Sequence, residues 1–299
     1  MPKIVYTPKR FNASSRAVID QANVIFAEYQ AAGYVLTLRQ LYYQFVSRAL
    51  LPNNQESYKR LGSIINDARL AGEIDWDLME DRTRNLISPS TWSSPAEIIK
   101  TCSLGFRLDL WADQPYRPEV WIEKDALAGV FERVCDDLRL PYFSCRGYTS
   151  QSEMWSAGQR LLLHIKGKQV PYILHFGDHD PSGLDMTRDI TDRLSLFMGG
   201  CKLIRLALNM NQVQEYNPPP NPAKISDSRA EAYIREYGSE SWELDALEPD
   251  VLADLVREAI NSLIVEPQWE AARRREAEAR AVLSRVSASW DAIVDQYGD

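Results

Sequence analysis

Apolar positions recur at three- and four-residue steps over 13–31 (ASSRAVIDQANVIFAEYQA), 38–50 (LRQLYYQFVSRAL) and 55–71 (QESYKRLGSIINDARLA). That period predicts three amphipathic helices. Their boundaries carry matching signals: Gly33 ends the first, Thr37 caps the second, Pro52-Asn53-Asn54 breaks it, and Gly72 closes the third. The short, mixed stretch 73–87 reads as a β-wing followed by an arm. Helix, turn, helix and wing in this order predict a winged helix-turn-helix, assigned to residues 1–87.

The pattern then changes. Residues 88–117, rich in Ser, Pro and Trp, form a connector. Beyond it, apolar β-rich runs alternate with helical periods. The runs are 119–124 (EVWIEK), 142–146 (YFSCR), 171–178 (PYILHFGD) and 202–208 (KLIRLAL), with helices near 125–139, 151–166 and 183–197. Strands and helices of these lengths predict an α/β unit over 118–216, built on a parallel sheet covered on both faces. The segment 217–222 (NPPPNP) is a break. Residues 217–299 are read as a C-terminal extension, helical from about 249. Its run Arg273-Arg274-Arg275 is balanced by Glu270, Glu276 and Glu278 and reads as a solvated helix face.

Composition refines this picture in three ways. Hydrophobic and charged contents of 45% and 25% are those of a globular protein. No apolar run approaches the roughly 20 residues of a membrane span, and the N-terminus lacks a signal-peptide core, so a cytoplasmic protein is expected. Cys102, Cys135, Cys145 and Cys201 are far apart and the chain has three histidines, which argues for buried free thiols over structural zinc. The charge of −8 is unevenly distributed. Residues 1–72 hold nine Lys/Arg against four acids, a balance of +5, which leaves −13 on the remainder. A basic head on an acidic body is compatible with phosphate contact through the head.

Functional groups of a parallel α/β sheet gather at the carboxyl ends of its strands. Glu123 ends the first strand, and Asp178 and Asp180 end the third. A strand period of two points Asp178 and Asp180 the same way if the strand persists that far. Three converging carboxylates repel one another, and Mg²⁺ (or Mn²⁺), which prefers oxygen ligands, relieves the repulsion. Read alone, the two aspartates also serve as caps of a turn or of the next helix. His175, on the third strand, reads as a buried structural histidine.

Val120-Trp121-Ile122-Glu123-Lys124-Asp125-Ala126, a Gly-centred turn at Arg146-Gly147-Tyr148, and Gly177-Asp178-His179-Asp180-Pro181-Ser182-Gly183-Leu184 follow one another in order. In these residues the chain resembles the Toprim domain, and within that superfamily the A subunit of type IIB topoisomerases (topoisomerase VI) and the meiotic double-strand-break transesterase. The resemblance covers roughly 36–87 and 118–210. It implies a CAP-like winged helix followed by a Toprim domain, with metal ligands at Glu123, Asp178 and Asp180. The family's nucleophilic tyrosine falls on Tyr43, within Arg39-Gln40-Leu41-Tyr42-Tyr43. The turn at 145–151 keeps Gly147 and Arg146 but lacks the family's longer basic motif.

Helix geometry bears on the tyrosine. Tyr42 lies about 40° from Leu38 on the apolar stripe, and Tyr43 about 140° away, facing outward beside Arg39. The resemblance implies catalytic roles for Tyr43, Arg39 and Glu123, and a homodimer in which each tyrosine meets the partner's metal site on double-stranded DNA. DNA contacts are expected from Lys59, Arg60, Arg69, Arg82, Arg84 and Arg146. No P-loop motif is present, so ATP-gated strand passage would require a separate ATPase subunit. Three functions follow: a tyrosine transesterase leaving a 5′-phosphotyrosyl break, a Toprim nuclease that activates water, and a DNA-binding module without catalysis.

Overall fold

The computed structural model describes residues 3–79 and 89–297. Three helices open the chain: α1 (Ala13–Ala31), α2 (Leu38–Ser47) and α3 (Gln55–Leu70). Each starts on a side-chain cap. Asn12 accepts from the Ser15 N–H, Thr37 and Gln40 form a reciprocal capping box, and Asn54 accepts from the Ser57 N–H. Their apolar stripes meet in one core that includes Ile19, Phe26, Leu41, Phe45, Leu61 and Ile65. Two isolated bridges, Val5 to Ala71 and Leu36 to Met79, flank this unit. Most of the expected wing and arm lies outside the described residues, Arg82 and Arg84 included.

The connector carries a helix, α4 (Pro95–Gly105), which Ser94 caps. Next come β1 (Tyr116–Ile122), α5 (Ala128–Asp137), β2 (Tyr142–Ser144), α6 (Gln151–Lys166), β3 (Val170–Phe176), α7 (Pro181–Met198) and β4 (Lys202–Ala207). The four strands form a parallel sheet in the order β2-β1-β3-β4. This is the α/β class with the parallel sheet that the alternating pattern predicts. Strand alternation divides the two faces. Val120, Ile122, Leu174 and Phe176 enter one core with Val130 and Phe131 of α5. Trp121 and Ile173 enter the other, against Met154 and Leu161 of α6 and Leu194 of α7.

The rest of the chain is α8 (Met210–Tyr216), the two-residue strands β5 (Asn221–Pro222) and β6 (Glu240–Ser241) enclosing α9 (Ala230–Tyr237), then α10 (Pro249–Asn261), α11 (Glu266–Ala288) and α12 (Trp290–Tyr297). The Pro-rich break at 217–222 does not separate a core from an appendage. Trp242, Leu244, Leu252, Val256, Ile260 and Trp269 are buried in the same cluster as Val120 and Ile122. α10 packs on α5, and α11 on α4. Arg273 and Arg275 are exposed and paired with Glu270 and Asp113, as a solvated face requires. All four cysteines are free; Cys135 and Cys145 are buried, whereas Cys102 is exposed. Among the described residues no helix is long and apolar enough to cross a membrane.

Candidate metal centre

β3 ends at Phe176, and the chain turns immediately. Two glycines permit the turn. A Cβ on Gly177 would lie 2.9 Å from a Glu123 carboxylate oxygen, and one on Gly183 would lie 2.2 Å from the Asp178 carbonyl oxygen. The turn is then tied to a distant segment. His179 and Trp242 exchange backbone N–H···O bonds of 2.8 and 3.0 Å. This bridge lays Glu243, Leu244 and Asp245 across the carboxyl end of the sheet, where the Leu244 N–H donates to Asp178 Oδ1 at 2.8 Å.

The result is a buried acidic centre: oxygens of Asp178, Glu243 and Asp245 all lie within 4.8 Å of one another. It is the one group among the described residues whose ligand atoms converge in this way. An all-oxygen donor set of this kind suits a hard divalent cation. Two cations balance the centre. Lys124 Nζ pairs with Asp178 at 2.7 Å, Asp245 at 3.2 Å and Glu243. Arg39 reaches Asp245 at 2.6 Å and Glu243 at 2.8 Å.

Burial pushes the Asp178 carboxyl up to about 8, against the pull of Lys124 and with help from Glu123, Glu243 and Asp245. Burial works the same way on Asp245, but Lys124 and Arg39 outweigh it and hold that carboxyl below its ordinary value. Lys124 is raised: burial disfavours its charge, yet the three carboxylates more than compensate.

Sequence-predicted residues distribute unevenly around this centre. Asp178 belongs to it. Glu123 stands beside it, its carboxylate accepting from the Asp178 N–H at 2.8 Å while burial raises its pKa. Asp180 does not share the face of Asp178, because the strand does not persist to it. It caps α7, accepting from the Gly183 N–H at 2.6 Å, which is the capping role left open by its spacing. Tyr43 is not outward-facing: it is 6% exposed. The 3₁₀ turn Leu244–Ala246 packs on α2, with Ala246 inside the helical core, and covers the side that helix periodicity marks as free. Arg39 remains beside Tyr43, its guanidinium 5.7 Å from the ring centroid. Burial first, then Asp245 and Glu243, raise the Tyr43 pKa.

Tyr43, Arg39, Asp180 and Glu243 line one cavity of about 520 Å³, where the helical unit meets the turn at Asp180 and the β5–β6 segment. A tyrosine and an acidic centre thus meet within a single chain, where the resemblance implies a meeting across a dimer. The expected DNA contacts are scattered. Lys59 is exposed on α3, and Arg60, also exposed, donates to Ser14 Oγ. Arg69 is instead structural, stacked on Trp76 at 4.2 Å and donating to two carbonyls. Arg146 pairs with Asp125 and lines a different cavity.

Three important side chains escape sequence reasoning. Arg205 of β4 donates to the carbonyls of Gly177, Asp178 and Gly183 and fixes the turn. A cation inside the strand, Arg205 in Lys-Leu-Ile-Arg-Leu-Ala, is the signal, since a charge in the middle of a parallel strand needs a buried partner. Glu243 and Asp245 alternate with Trp242 and Leu244, a period of two that sets acids on one side and apolar residues on the other.

His175 matches its expected buried role. Its Nδ1 lies 2.9 Å from Thr187 Oγ1, and burial, aided by Arg205, pushes its pKa down to about 3. The folded state keeps this imidazole neutral, whereas the unfolded chain protonates it near 6.5. Its contribution to stability is therefore complete above pH 6.5 and is lost as the pH falls from there toward 3. Between pH 7 and 5 wild type is expected to lose about 2 kcal/mol more than His175→Gln, measured by urea unfolding. Equal losses would show that this histidine does not set the acid limit.

No family model matches the chain, and no curated protein matches it in sequence.

Proposed function

We propose that the protein is a metal-dependent DNA-cleaving enzyme of Toprim type, with Mg²⁺ (or Mn²⁺) held by Asp178, Glu243 and Asp245 and with Glu123 beside them. The convergence of these three carboxylates carries the proposal. A divalent cation there would supply stabilisation of the charge that develops on a phosphate. The motifs around Glu123 and Asp178 resemble the topoisomerase VI A subunit, and Tyr43 shares the cavity with Glu243.

In this reading the Tyr43 hydroxyl oxygen bonds to phosphorus, the bond to the 3′ oxygen breaks, and the proton ends on that leaving oxygen. The products are a 5′-phosphotyrosyl linkage and a 3′-hydroxyl. Arg39, beside the ring, favours the phenolate that burial disfavours. Two copies acting on opposite strands would give a double-strand break. Hydrolysis by water is the alternative, and the burial of Tyr43 favours it, because a phenol held above its ordinary pKa is a reluctant nucleophile.

Incubation with labelled plasmid and Mn²⁺, followed by denaturation, separates the two. Transesterification predicts protein covalently attached to DNA, abolished by Tyr43→Phe. Cleavage that survives Tyr43→Phe without an adduct establishes hydrolysis. Cleavage unaffected by Asp178→Asn would refute both.

A further inference from the structure

The cavity beside the acidic centre is built for more than a phosphate. Tyr58 of α3, which lines the cavity together with Glu243, is held edge-to-face against Tyr42, with ring centroids 5.3 Å apart, and is only partly buried. Gln55, in the first turn of α3, lines the same space and its side chain makes no hydrogen bond among the described residues. Lys224 also lines the cavity, exposed and without an ion pair among the described residues. Asn53 donates to Asn221 at 2.5 Å and ties the loop before α3 to β5, so the two walls are held together.

An aromatic ring, an unused amide and an unpaired ammonium around a space of about 520 Å³ form a recognition set for a base and its phosphate. Tyr43 is buried at the wall of this cavity, so a phosphate must enter to meet it, and a stacked base pair prevents entry.

We infer that this cavity takes one unpaired deoxynucleotide of a DNA strand, with the base on Tyr58 and Gln55 and the backbone phosphate near Lys224. The inference rests on the proposed action of the acidic centre on DNA, and it names the substrate as a strand opened at the site of attack.

The test uses the full chain, Ca²⁺ in place of Mg²⁺, and fluorescence anisotropy on a labelled twelve-residue oligothymidylate, free or annealed to its complement. Tyr58→Leu, which keeps bulk and removes the aromatic face, is expected to weaken single-strand binding by about 5- to 150-fold and to leave duplex binding unchanged. Lys224→Ala, a surface change that leaves the fold intact whatever Tyr58→Leu does, is expected to lower the salt dependence of single-strand binding by about 0.7 in log–log slope. Equal weakening on both DNAs, or no weakening on either, overturns the inference. Cutting of the same strand by wild type with Mn²⁺ is read separately. Cutting with no selective loss in Tyr58→Leu removes the pocket and keeps the enzyme; selective loss without cutting keeps the pocket and removes the enzyme.

Discussion

Replacing Lys124 with Met is expected to lower the stability of the metal-free protein by about 3–5 kcal/mol. The ammonium touches all three carboxylates of the centre, and its loss leaves the Asp178 carboxyl, already pushed up to about 8, without an ion pair and protonated at neutral pH, while Arg39 alone serves Asp245 and Glu243. The cost falls chiefly on Asp245, which is buried and held ionised by Lys124 and Arg39: removing one partner forfeits the attraction but not the desolvation of the carboxylate. Addition of Mn²⁺ should then restore more stability to Lys124→Met than to wild type, because in wild type the ion competes with Lys124 for the same oxygens. Guanidinium unfolding in EDTA and in Mn²⁺ reads both effects. An equal Mn²⁺ increment in the two proteins would place the ion elsewhere.

Deletion of residues 217–299 is expected to abolish cooperative folding. Trp242, Leu244, Leu252, Val256, Ile260 and Trp269 belong to the core beneath the sheet. At roughly 1.5–3 kcal/mol for each buried side chain, these six contribute at least about 9 kcal/mol, against a total stability of about 5–15 kcal/mol. The deletion also removes Glu243 and Asp245 from the acidic centre. Circular dichroism and thermal unfolding of a 1–216 chain should show no sharp transition. A sharp transition near that of wild type would mean that the C-terminal segment is an extension after all.

That contrast marks what is legible in a single sequence. Helices α1 to α3 and strands β1 to β4 follow from local periods, because each period records which side of one element is dry. Asp178 was legible for the same reason, since it sits where a strand runs out. Glu243 and Asp245 were not, because only the His179–Trp242 bridge, across more than sixty positions, brings them to the sheet. The error over Tyr43 has the same origin: helix geometry gives an angle around one axis, and the Leu244–Ala246 turn that covers that side comes from far along the chain. Asp180 turned on the last residue of β3, and strand ends are where a period of two gives least guidance.

Asp178, Glu243 and Asp245 are proposed to hold a divalent cation. Titration of Mn²⁺ into the protein, with free ion followed by electron paramagnetic resonance, tests it most directly. Wild type should take up an ion that Asp178→Asn binds at least about 100-fold more weakly, and Glu243→Gln, at the more open edge of the centre, should weaken it as well. Equal Mn²⁺ uptake by wild type and both variants would contradict the account.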